Sequence, residues 1–69
     1  MNFFAVYDGK VAIGHSRNLR KAKDIAHDKR ADEIQELHLS DIKGERQVDL
    51  VRKWKRAGWS NQFVEWPIQ

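Results

Sequence analysis

Arg17, Arg20, Lys21 and Lys23 place four cations within seven residues, and Arg52, Lys53, Lys55 and Arg56 place four more within five. Such runs suit phosphates, because guanidinium and ammonium groups are charged donors at neutral pH and a neutralised phosphate backbone releases its condensed counterions. His15, just ahead of the first cluster, can add another donor. His27 and His38 lie far from it and from each other, with no carboxylate pattern that would mark a ligand set, so no metal site is expected. The chain has no cysteine, which excludes disulfides, zinc thiolates and a thiol nucleophile. The plainer reading of both clusters is the solvated face of a surface helix.

Thirteen Lys and Arg against ten Asp and Glu leave a net charge of +3 and a pI near 9.5. That excess favours an anionic partner only mildly, so the grouping of the cations matters more than their sum. With 69 residues, three Trp, three Phe and one Tyr, the sequence reads as a single domain, 1–69, near the lower limit for a core without crosslinks. No apolar run approaches the roughly 20 residues that span a bilayer, and no basic segment leads into an apolar one near residue 1. A cytoplasmic protein is expected, and the lack of cysteine suits a reducing compartment.

The elements that must position these residues begin with two short β-prone runs, Phe3 to Tyr7 and Val11 to Ile13. Asp8-Gly9 between them suits a type I′ turn. Gly14 reads as the end of the second strand. Asn18 is placed to cap a helix from Leu19 to about Ala31, whose buried stripe is Leu19, Ala22, Ile25 and Ala26. Asp24 and Asp28, one turn apart, belong to its charge lattice. Ile34 to Leu39 reads as a third strand, with His38 facing solvent. Ser40 or Asp41 can then cap a second helix, in which Gly44 is a weak spot and Val48, Val51, Trp54 and Ala57 fall on one face. Ala57-Gly58 reads as its stop, Trp59-Ser60-Asn61 as a turn, and Phe63 to Trp66 as a short strand or an extended tail. The expected fold class is α+β: a small β-β-α-β-α domain, an antiparallel hairpin plus a third strand with helices packed on one face.

The first third of the chain resembles the GIY-YIG endonuclease domain, the module of the nuclease subunit of bacterial nucleotide-excision repair and of homing endonucleases. Ala5-Val6-Tyr7 stands at the first motif triplet, Ala12-Ile13-Gly14 at the second, and Arg17-Asn18-Leu19-Arg20-Lys21 follows at the family's spacing. Two positions depart from the pattern: Ala12 replaces the second tyrosine and Ala22 replaces the helix arginine. Glu65-Trp66 is similar to a dipeptide near the end of many members. The resemblance implies a one-metal phosphodiester hydrolysis, with Tyr7 assisting water and Glu45 as the metal-binding glutamate. Glu45 reads first as an ordinary acid in a helix first turn, favourable to the macrodipole. Alanine at positions 12 and 22 supplies no donor or cation, so Tyr7 and Glu45 are vestigial candidates and no cofactor is expected.

The sequence therefore predicts a small basic nucleic-acid-binding protein on a catalytically degenerate scaffold, gripping DNA rather than RNA mainly through phosphates. The residues predicted for that grip are His15, Arg17, Arg20, Lys21, Lys23, Arg52, Lys53 and Arg56, with free backbone N–H groups at the first helix N-terminus. The competing class is a small viral or mobile-element protein that binds and modulates a protein partner. Trp59, Phe63 and Trp66 would form its patch if exposed, whereas three indoles in so small a domain read first as core.

Overall fold

The computed structural model of the protein describes residues 1–58 and 62–67. The chain runs β1 (Asn2–Asp8), β2 (Val11–Ser16), α1 (Leu19–Asp28), β3 (Glu33–Ile42), β4 (Glu45–Arg56) and β5 (Phe63–Trp66). All five strands form one antiparallel sheet in the order β2-β1-β3-β4-β5. Helix α1 packs on one face of it, against β2, β1 and β3. The other face carries no helix among the described residues.

This corrects the expected fold class. Glu45 to Arg56 is a twelve-residue strand paired with β3 almost throughout, not a second helix. Lys43 and Gly44 adopt φ of 54° and 80°, the doubly positive pair of a two-residue type I′ hairpin, so the chain reverses where a helix cap was expected. The helix-like spacing of Val48, Val51 and Trp54 does not correspond to one face of this strand. The β3–β4 register shifts so that Arg52 lies opposite Glu36 but Leu50 lies opposite Leu37, which leaves Val51 as an extra residue. The inserted residue offsets the alternation by one, so Val48, opposite Leu39, lies on the open face while Trp54, opposite Ile34, lies on the α1 face.

Other boundaries shift for local reasons. The first hairpin loop is Gly9-Lys10, with φ of 61° at Gly9 and no positive φ at Lys10, so the turn has the type II′ pattern one residue beyond Asp8-Gly9. Gly14 lies inside β2 rather than at its end. Ser40 and Asp41 continue β3 instead of capping a helix, and Phe63 to Trp66 is a strand on the edge of β4. The expected turn at Trp59-Ser60-Asn61 lies outside the described residues.

Helix α1 stops at Asp28 rather than Ala31. The Ala31 N–H bonds to the carbonyl of Ala26 at 2.8 Å and the Arg30 N–H to that of His27 at 3.4 Å, with Arg30 at φ 54°. These are the two bonds of a Schellman cap, here with arginine at the left-handed position where glycine is usual.

The core lies between α1 and the sheet and contains Val6, Ala22, Ala26, Ala31, Ile34, Trp54 and Phe63. Its helix side is built from alanines, so the sheet supplies the bulk: the Phe4 and Trp54 rings lie 5.9 Å apart at 51°. The expected stripe of α1 is borne out, with Ala22 and Ala26 buried and Leu19 and Ile25 packed at its border.

Candidate nucleic-acid interface

Asn18 caps α1 as expected, accepting from the Arg20 N–H at 2.8 Å and the Lys21 N–H at 3.4 Å, and Ser16 Oγ accepts from its own N–H at 3.1 Å. Two of the backbone donors expected to meet phosphate are thus engaged by the cap. The side chains are free to project. Arg17, Arg20, Lys21 and Lys23 are all exposed, and the first turn of α1 contains no acid. Cations at the positive end of the helix macrodipole repel it, so this arrangement costs helix stability while concentrating positive potential at one end. Among the described residues the ion pairs are Arg52–Glu36 and Lys55–Glu33, and neither involves these four.

The second basic cluster divides. In a strand, neighbouring side chains point to opposite faces. Arg52 and Arg56 therefore lie on the α1 side and Lys53 and Lys55 on the open side. Arg52 Nε donates to Glu36 Oε1 at 2.7 Å, and its guanidinium sits 5.2 Å from the Trp54 ring centre. Arg56 sits 5.0 Å from the Phe63 ring centre and donates from Nε and Nη2 to the carbonyl of Ala31, at 3.0 and 2.7 Å, and from Nη2 to that of Ala26 at 3.0 Å. It ties the end of α1 to the sheet. Lys55 pairs with Glu33 at 3.5 Å and lies 5.6 Å from the Trp66 ring centre. Of the predicted grip, Arg17, Arg20, Lys21 and Lys23 share one end of the fold, while Arg52 and Arg56 are engaged in holding it together.

His15 is exposed on β2, opposite Ala5, facing away from α1. It borders a shallow cavity of about 540 Å³ whose lining includes Phe3, Ala5, Tyr7, Ala12 and Leu37. Tyr7 and Ala12 are cross-strand partners there. Glu45 is remote. Tyr7 pairs with Glu33 at the start of β3 and Glu45 with Ile42 at its end. Nine residues of strand at about 3.4 Å each separate the two by about 30 Å, too far for both to act on one phosphodiester. Ala22, at the place of the motif arginine, has no exposed surface, so a guanidinium there would enter the core rather than a cleft. Among the described residues no group of three His, Cys, Asp or Glu could hold a metal ion, and no helix is long and apolar enough to cross a membrane.

The aromatic patch is also redistributed. Trp54 and Phe63 are buried, Trp66 is half exposed, and Trp59 lies outside the described residues. His38 is half-buried and hydrogen-bonds the Asn2 side chain.

The residue that sequence reading missed is Glu36, buried between Asn2 and Arg52. Asn2 Nδ2 donates to its Oε2 at 2.9 Å, and this bond, with the Arg52 hydrogen bond and charge, outweighs burial and holds the carboxyl below its usual range. The available signal was alternation: Ile34 and Glu36 share a strand face, so an inward Ile34 makes Glu36 inward too.

No family model matches the chain, and comparison with curated proteins and with solved structures also gives no match.

Proposed function

We propose that this chain is a small nucleic-acid-binding protein that grips phosphates with Arg17, Arg20, Lys21 and Lys23 at the start of α1. The observation that carries the reading is the inverted charge of that helix end, where cations without acids sit on the positive pole of the dipole. An arrangement that works against its own helix is explained by an anion that neutralises both. His15 and Lys53, on the other face, are peripheral to the grip, and Arg52 and Arg56 leave it. Contacts of this kind position without specifying, so binding is salt-dependent and has little sequence preference.

The GIY-YIG resemblance remains part of the proposal for the first third of the chain. It is supported by the adjacency of Ala5-Val6-Tyr7 and Ala12-Ile13-Gly14 in the hairpin and by the helix that follows. DNA is the substrate class that this resemblance implies. Cleavage is not part of the proposal, since Ala12 and Ala22 contribute no catalytic group and Tyr7 and Glu45 are far apart. Fluorescence anisotropy with a labelled duplex, titrated at several salt concentrations, tests the binding. A plasmid-nicking assay with Mg²⁺ or Mn²⁺ tests the absence of cleavage, and turnover lost in Glu45→Ala would overturn that part.

A protein partner is the second reading. Val64 and Trp66, each 50% exposed on β5, favour it. Co-purification of one protein, with no salt-removable nucleic acid, would replace the first reading by this one.

A further inference from the structure

Strand β4 is longer than what covers it. β5 pairs only with Lys53 to Arg56, so among the described residues the outer edge from Glu45 to Arg52 has no neighbour. The β1 ladder on β3 ends at His38, and beyond it β3 and β4 continue as a two-stranded arm around the Lys43-Gly44 turn. Every residue from Asp41 to Arg52 is exposed, and Ile42, Val48, Leu50 and Val51 are among the most exposed large apolar side chains. A two-stranded ribbon is marginal in water by itself, and its unpaired N–H and C=O groups are a template for another strand.

We propose that the occupant of this edge is a second copy of the chain, β4 against β4, antiparallel about a two-fold axis through Val48. Charge argues for it. From Asp41 to Arg52 the arm carries Asp41, Glu45 and Asp49 against Lys43, Arg46 and Arg52, so it has no pull on a polyanion and has the balance a self-complementary patch requires.

Register argues more sharply. Residues directly opposite in an antiparallel pair share a sheet face, so a closed two-fold pairing must centre on a residue. Centring on Arg46 or Asp49 sets that residue against itself, and centring on Gln47 sets Glu45 against Asp49. Centring on Leu50 drives the pairing into the stretch from Lys53 that β5 occupies. Centring on Val48 opposes no like charges. It sets Val48 on Val48, Leu50 on the stem of Arg46 and Gln47 on Asp49, and brings Glu45 to the bulge at Val51 and Arg52. Pro67 follows β5 at this boundary and has no N–H with which to extend β5 across the edge. Eight residues of edge make a small interface, which sets the association in roughly the micromolar range.

Because the chain has no cysteine, Val48→Cys introduces a single thiol. On the axis, two such thiols face each other at disulfide distance, so mild oxidation should give covalent dimer about tenfold faster than for Val64→Cys, which is similarly exposed but off the axis. The native chain should pass from monomer to dimer in sedimentation equilibrium as its concentration rises through the micromolar range. Val48→Lys opposes two ammonium groups and should remain monomeric with an unchanged circular dichroism spectrum, since Val48 is outside the core. A native chain that stays monomeric, equal cross-linking of the two cysteine variants, or a Val48→Lys protein that still dimerises would each overturn the proposal.

Discussion

The Cγ2 of Ile25 lies 2.9 Å from the point where a Cβ on Gly14 would stand. Gly14 has ordinary strand backbone, so its role is the space it leaves. Helix α1 descends onto β2 at the one place where the strand has no side chain, and the alanines of its buried stripe continue that close approach along β1 and β3. The same contact sets the height of the helix, and with it the place of Arg17, Arg20 and Lys21 beside the hairpin.

Gly14→Ala should therefore destabilise the domain by about 1–3 kcal/mol, the usual range for overpacking. Ile25→Ala removes the atom in the way at the cost of three carbons of a half-buried side chain. In a double-mutant cycle by urea denaturation, the pair should lose less than the sum of the single changes. Full additivity would show that the helix does not rest on this position.

Glu36 makes stability depend on pH with a definite sign. Its folded carboxyl titrates below the ordinary value of 4.5, chiefly because Asn2 and then Arg52 hydrogen-bond its ionised form. The stabilisation is therefore complete above the ordinary glutamate range and is lost as pH falls toward the lowered folded value. Glu36→Gln should cost about 1–2 kcal/mol at pH 7, where the charge-assisted bonds are lost, and progressively less in acid. Thermal melts from pH 7 to pH 3 check this: the native and variant curves should converge at the acid end.

Legibility in the sequence followed the range of the interactions. The pairing of β1 with β2, the Asn18 cap and the stripe of α1 rest on contacts within a few residues and were readable from spacing, although the hairpin turn falls one residue later than Asp8-Gly9 and is of another type. Strand β4 was not, because its assignment depends on a ladder to β3, while Val48, Val51 and Trp54 happen to fall at helical spacing without sharing a face of the strand. Lys43-Gly44 carried a local signal, since a glycine preceded by a residue that accepts positive φ can close a hairpin. The helical pattern beyond it obscured that signal. The candidate grip divided along the same line. Arg17, Arg20, Lys21 and Lys23 are exposed around the start of α1, whereas Arg52, Lys53 and Arg56 lie on a strand and not on the helix face on which the sequence groups them.

Arg56 shows what that regrouping means for stability. Its guanidinium donates to the carbonyls of Ala26 and Ala31 at the end of α1, where the helix dipole is negative, while its plane covers Phe63. Arg56→Ala should cost about 2–3 kcal/mol by removing charge-assisted bonds to two carbonyls. Arg56→Lys should recover only part of it, because an ammonium has no planar fork. Denaturant unfolding measures the loss. Binding to nucleic acid by the fraction that remains folded should be unchanged in both variants, which separates a brace from a grip.

Arg20→Glu/Lys21→Glu tests the grip itself through two readouts that move in opposite directions. Acids in the first turn favour the helix macrodipole, so the variant should melt no lower than the native chain and is expected to melt higher. Its affinity for a duplex should fall at least tenfold at low salt, and the slope of log affinity against log salt should shrink, because fewer phosphates are neutralised. A surface that exists only to be solvated would give the first change without the second. Anisotropy titrations at matched ionic strength, run beside thermal melts on the same samples, decide between them, and unchanged affinity with a raised melting temperature would remove α1 from any role in nucleic-acid binding.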